Sequence, residues 1–163
     1  MTIQIGNSIP DITQKRIGEN GMEDISIAQY LAGKKVVLFA VPGAYTPTCA
    51  LKHLPGYVAN ADQIKATGVD DIICLSVNDP FVMKAWGESA NAAGKVTMMP
   101  DWKADLVTAM GLTLDAAGAG LGTRAQRFSM VIENGIVKDL QVEPVASAVE
   151  LSGADVCLAR LAA

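Results

Sequence analysis

The chain carries three cysteines, Cys49, Cys74 and Cys157, and the first stands where a thiol can be made reactive. An apolar run from Lys35 to Val41 reads as a buried strand and leads into Pro42-Gly43-Ala44-Tyr45-Thr46-Pro47-Thr48-Cys49. If Thr46 caps a helix and Pro47 is its first residue, Cys49 is the third. Its sulfur then lies beside backbone N–H groups without intrahelical partners, at the positive end of the helix dipole. Both favour the thiolate, the nucleophilic form. The competing reading makes Cys49 a small apolar residue of the first turn. His53 follows four residues later on the same helix face, so a Cys-His hydrolase or transferase is the rival enzyme class. No third orienting residue or acyl-binding motif accompanies that pair, and a wall of the pocket is the preferred role for His53. Cys49, His53 and a buried Cys74 are too few ligands for a metal, and none is expected.

These residues need elements to hold them. Lys35–Val41 and Asp71–Val77 are short, β-branched apolar runs of the kind buried on both faces of a sheet, and Val96–Met99 is a weaker third. Between the first two, Leu51, Leu54, Val58, Ala61 and Ile64 form a helical stripe within Thr48–Lys65, with a kink expected at Pro55-Gly56. Asn78-Asp79-Pro80 opens a second helix, Lys103–Met110 is a third, and Gly153–Leu161 is the last. Arg127–Ile132 and Ile136–Val142 flank Glu133-Asn134-Gly135, a strong hairpin signal. A further hairpin is expected from Asp11 to Ile27 around Asn20-Gly21. The order describes an α/β layer protein with a central mixed sheet flanked by helices, in one domain over residues 1–163. Gly118-Ala119-Gly120-Leu121-Gly122 superficially suggests a dinucleotide loop, but Thr123 replaces the third glycine and a strand follows, so it is read as a plain loop.

With this framework in place, three stretches become recognisable. PGAYTPTCALKHLPGY (Pro42–Tyr57), CLSVNDPFVMKAW (Cys74–Trp86) and GLGTRAQRFSMVIENG (Gly120–Gly135) together closely resemble the peroxiredoxins, in the atypical branch of plant type II and animal mitochondrial enzymes. The likeness runs from about Ile5 to the C-terminal helix. It implies a thioredoxin-like fold and a thiol peroxidase reducing hydrogen peroxide and alkyl hydroperoxides without a cofactor. By the same resemblance Cys49 is the attacking cysteine and becomes a sulfenic acid. Thr46 orients thiolate and peroxide, Arg127 is the guanidinium beside them, and Pro42 shields the sulfur. Arg124 and His53 are supporting pocket residues.

The resemblance also bears on the other thiols. Cys74 lies 25 positions after Cys49, the spacing at which a second cysteine can resolve the sulfenic acid in the plant branch. Its place within an apolar strand equally fits an inert core thiol. Cys157 shares a helix face with Ala154, Leu158 and Leu161 and reads as core. Glutathione, glutaredoxin or thioredoxin is the implied reductant, and a homodimer is implied with Phe81 near the contact. Where relatives usually carry an Ala-Asp-Gly-like turn, this chain has Met99-Pro100-Asp101-Trp102. A redox-sensing or binding protein of the same fold, with slow oxidation at Cys49, is the alternative of a different class.

Composition limits the remaining choices. Of 163 residues half are hydrophobic, and 13 Lys and Arg face 17 Asp and Glu, a net charge of −4. Such a balance offers no basic footprint for nucleic acid or an anionic membrane surface. No apolar run approaches the length of a membrane span, and the first ten residues lack the pattern of a secretory signal. An odd count of cysteines is a poor disulfide framework, so a reducing, cytoplasmic setting is expected.

Overall fold

Turn chemistry shapes the N-terminal part of the chain in a computed structural model that describes residues 1–163. β1 (Thr13–Gly18) and β2 (Gly21–Ser26) pair antiparallel around Glu19-Asn20, with Gly21 at φ +104°, a value that favours glycine. The Ser26 hydroxyl then accepts from the Gln29 N–H and starts a short helix, α1 (Ile27–Leu31). This helix was not expected, because five residues show too little periodicity to be read.

The central sheet has five strands in the order β5-β4-β3-β8-β9. β3 (Lys35–Val41), β4 (Asp71–Ser76) and β5 (Thr97–Pro100) run parallel, while β8 (Phe128–Glu133) and β9 (Ile136–Val142) close it antiparallel. Asn134 and Gly135 both have positive φ, 48° and 78°, as a tight hairpin turn between β8 and β9 requires. Because strand side chains alternate, β3 feeds two cores. Val36, Leu38 and Ala40 face one with α1 and α4 (Asp105–Ala109). Val37, Phe39 and Val41 face the other with α2 (Leu54–Ala66), α3 (Pro80–Ser89) and α5 (Ala154–Ala162). At the start of α3 the Asp79 carboxylate accepts from the Val82 N–H and Pro80 follows it, as expected.

Three details depart from the sequence-based picture. The helix after β3 is not regular ahead of Pro55-Gly56: it passes through a wide π turn at Cys49–His53, where the Leu54 N–H reaches the Cys49 carbonyl, and only then becomes α2. A proline ring would crowd the carbonyl four residues earlier, and the widened turn just before Pro55 relieves that conflict. The helix expected at Lys103–Met110 is trimmed to α4 because Ala104 is left-handed, at φ +59°, and cannot be its first turn. Finally, the glycine-rich stretch is not wholly loop. β6 (Thr113–Ala116) and β7 (Gly122–Ala125) form a small antiparallel pair joined by a 3₁₀ turn at Ala117–Ala119.

Asp101 explains why α4 begins where it does. Fully buried, it accepts from the Leu106 and Val107 N–H groups at 3.1 and 2.9 Å and from Gln14 Nε2 on β1 at 2.7 Å. It therefore ties the N-terminal hairpin to the end of β5. Trp102 beside it lies at the surface, with Lys103 Nζ 5.0 Å from its ring centre.

Candidate active site

β3 delivers the chain to a tight loop at its C-terminal end. Asn78 Oδ1, just past β4, accepts from the Ala44 N–H at 2.9 Å, and the Thr46 hydroxyl donates to the Gly43 carbonyl at 2.7 Å. A Cβ at Gly43 would lie 3.0 Å from Arg124 Nη1 and 3.1 Å from Thr46 Cγ2, so any side chain there would press on both. The first helical bond runs from the Ala50 N–H to the Thr46 carbonyl, 2.9 Å. Cys49 thus occupies the third helical position, ahead of that bond, where backbone N–H groups lack intrahelical acceptors. The Thr46 hydroxyl does not cap the helix. Its proton goes to Gly43, and its oxygen lone pairs stay free for another donor.

Arg127, in the last step before β8, meets this helix across 78 residues of sequence. Its three donor directions are all used: Nη2 to Cys49 Sγ at 2.9 Å, Nη1 to His53 Nδ1 at 2.8 Å and Nε to the Ala146 carbonyl at 2.8 Å. Cys49, His53 and Arg127 are 0%, 1% and 2% exposed. The guanidinium is a cation with no acceptor, so His53 Nδ1 must be the accepting nitrogen. The His53 proton therefore sits on Nε2, which donates to the Ser152 carbonyl at 2.9 Å. Burial, reinforced by the Arg127 charge and opposed by Ser152, pushes the imidazole down from 6.5 to about 4. Neutral His53, with both nitrogens engaged, offers no base to Cys49, which removes the Cys-His hydrolase reading and leaves His53 as the support of Arg127.

The other expected residues take more distant places. Pro42 is buried at the end of β3. Arg124 on β7 donates through Nε to the Leu121 carbonyl at 2.9 Å and through Nη1 to Pro42 at 3.4 Å, so it buttresses the loop and does not reach the sulfur. Cys74 lies in mid-strand on β4, level with Phe39, in the same apolar cluster as Cys49. Burial, with Cys49 adding to it and Arg127 opposing, pushes its thiol well up. Cys157 is buried in α5 and pushed up to about 11, again mainly by burial. A cavity of about 380 Å³ lies between β1, α3 and β5, and Cys49 is not among the residues that line it.

Sequence reasoning missed the segment from Glu143 to Gly153, which supplies both carbonyls that hold Arg127 and His53. Tyr57 shares the Ser152 carbonyl, donating at 2.7 Å while its ring stacks on Phe39 at 3.9 Å. The only sequence signal was a lone Glu-Pro pair ending a strand pattern.

Chemically, the site presents a sulfur in contact with a fixed cation at the start of a helix whose first N–H groups lack intrahelical acceptors. A donor aimed at an atom that carries or receives negative charge favours the charged state over the neutral one. Such an arrangement suits nucleophilic attack by sulfur with charge passing to a departing atom. Comparison with known proteins agrees. The Redoxin family model matches residues 4–158. Peroxiredoxin-2D of Arabidopsis thaliana is 44% identical over 133 residues, 81% of this chain and 82% of that protein. Reduced Prx3 of Vibrio vulnificus, solved in complex with hydrogen peroxide, superposes with a TM-score of 0.93 at 49% identity, covering 98% of this chain and 99% of that one. The oxidized form of Prx3 from the same organism superposes less closely, at 0.87, with 50% identity and coverage of 98% and 99%.

Proposed function

The chain belongs to the peroxiredoxins of the type II family and is a thiol peroxidase, and from that premise we propose that Cys49 reduces hydrogen peroxide and alkyl hydroperoxides, with glutathione and glutaredoxin or thioredoxin as reductant. In the reaction the Cys49 thiolate attacks one peroxide oxygen and the O–O bond breaks. Sulfur is oxidised to a sulfenic acid, and the other oxygen leaves with the bonding pair and takes a proton as water or alcohol. A reductant thiol then condenses with the sulfenic acid, releasing water, and a second thiol frees Cys49. The observation that carries this reading is the 2.9 Å contact from Arg127 Nη2 to Cys49 Sγ in a site that excludes water.

Arg127 acts on charge that moves from sulfur toward the leaving oxygen, stabilising the transition state more than the ground state. The Thr46 hydroxyl, by turning from Gly43, can donate to the peroxide, while Pro42 and the packed helix start keep water away. The closer match to the reduced than to the oxidized Prx3 supports a reduced, peroxide-ready conformation for this chain. Burial of Cys74 supports direct reduction of Cys49 by an external thiol, without an internal disulfide. A homodimer is supported by apolar side chains left at the surface near the site, among them Tyr45 and Phe81, the latter 68% exposed. The odd cysteine count supports a cytoplasmic setting.

Peroxide consumption by the purified chain, measured with glutathione and glutaredoxin in one arm and thioredoxin with its reductase in the other, tests the proposal. Turnover that needs Cys49 in at least one arm is expected. Turnover in neither arm refutes these reductants.

A further inference from the structure

We propose that Glu143 is a positioning residue for Arg127, its carboxylate fastening residues 143–153 into a strap whose carbonyls hold the Arg127–His53 pair against the Cys49 sulfur. The inference rests on the role given above to Cys49 and Arg127.

The strap has neither helix nor strand of its own, yet it carries both carbonyls on which the pair depends, those of Ala146 and Ser152. An irregular segment keeps such carbonyls in place only if something fixes its ends together. Glu143 does this at both ends. Its backbone N–H donates to the Arg127 carbonyl at 2.9 Å. Its Oε1 accepts from the Leu151 N–H at 2.6 Å, the Ser152 N–H at 2.7 Å and the Ser152 hydroxyl at 2.9 Å. One carboxylate oxygen with three donors thus closes the strap on itself, directly at the residue whose carbonyl receives the His53 proton.

Charge matters as well as reach. The three Arg127 nitrogens bond to a carbonyl, an imidazole and the sulfur, and none bonds to a carboxylate. Glu143, 5% exposed, is the nearby negative group whose field acts on His53. Burial alone would raise its carboxyl, but the Ser152 and Leu151 N–H groups outweigh that and leave it below the ordinary value. Its second oxygen, Oε2, is buried with no partner. A glutamine amide would put a donor into that unpartnered place and a weaker acceptor at Oε1, so even this isosteric change loosens the clasp.

The test compares wild type, Glu143→Gln and Glu143→Ala, each alone and with Arg127→Lys, in single-turnover oxidation by hydrogen peroxide. Near-ultraviolet circular dichroism reports folding, and ultraviolet thiolate absorbance at neutral pH reports the state of Cys49. Exchanging a charged acceptor for a neutral one should slow oxidation roughly fivefold in the glutamine variant, and the alanine variant should be slower still, by about 10–100-fold. In the Arg127→Lys background the same changes should matter less than twofold, because both residues act on one geometry. A merely structural Glu143 would lower the melting temperature without that dependence on Arg127. If the alanine variant fails to fold, the glutamine variant alone decides. A glutamine variant at the wild-type rate, or an equal slowing in both backgrounds, overturns the proposal. Failure of wild type to oxidise at Cys49 overturns the function proposed for the site, and fast oxidation of wild type and variants alike overturns only the strap.

Discussion

Replacing Arg127 with lysine keeps the positive charge and removes the fork that spreads it. The guanidinium serves Cys49 Sγ, His53 Nδ1 and the Ala146 carbonyl from three fixed directions, at 2.8 to 2.9 Å. An ammonium on a four-carbon stem is a compact point charge and cannot reproduce that planar fork. If it turns to the sulfur, the buried His53 acceptor and the half-buried Ala146 carbonyl are left without that donor. If it stays with them, the sulfur loses its cation. Losing one preorganised donor aimed at developing charge costs about 2.7–4 kcal/mol in the transition state, or roughly 10²–10³ in rate. The second-order rate constant for Cys49 oxidation by hydrogen peroxide, followed by stopped-flow tryptophan fluorescence, should fall by about that factor. Lysine should retain more rate than alanine, which lacks the charge altogether. A lysine variant within about threefold of wild type would show that charge alone, without the directed contacts, accounts for the site.

His53 should make stability depend on acid. Its imidazole falls from 6.5 to about 4 on folding, so its contribution is complete above 6.5 and is lost as pH falls toward 4, where the unfolded chain binds the proton first. The difference is on the order of 3 kcal/mol, and denaturant unfolding at about pH 7 and about pH 4 should show wild type losing more than His53→Gln by that amount. Equal losses would place the proton elsewhere. Intact-mass analysis after peroxide and glutathione should find glutathione on Cys49 in wild type, Cys74→Ser and Cys157→Ser alike. An internal disulfide lost only in Cys74→Ser would instead make Cys74 the resolving thiol. Asp101→Ala leaves two helix N–H groups and Gln14 unpaired in the core, and thermal or urea unfolding should show a loss of about 2–4 kcal/mol. A loss below about 1 kcal/mol would mean that water readily takes the place of the carboxylate.

The place of Cys49 was legible because it depends on local rules. A strand, a Thr-Pro start and a count of three residues put the sulfur at a helix N-terminus, and the structure keeps it there. Hairpins announced by Asn20-Gly21 and Asn134-Gly135 were legible for the same reason, since turn chemistry needs no distant partner. The π turn was not, because Pro55 hides a change from 3.6 to a wider period within five residues. Arg127 reached the site through resemblance alone, since nothing in residues 126–128 reveals a partner 78 positions away. His53 showed its helix face but not its partner, and only the guanidinium at Nδ1 explains why it cannot serve as a base. Glu143 and Ser152 were invisible because their roles arise from an irregular segment folding back on itself, which has no periodicity to read.

Peroxide should oxidise this chain at Cys49 and form a sulfenic acid there. Trapping measures it directly: the reduced chain is mixed with one equivalent of hydrogen peroxide and a sulfenic-acid-specific dione, and the labelled peptide is located by mass spectrometry alongside Cys49→Ser. One peroxide consumed per chain, with the label on Cys49 and neither label nor rapid consumption in the variant, is the expected result. A label confined to Cys74 or Cys157, or unchanged peroxide loss in Cys49→Ser, would contradict it.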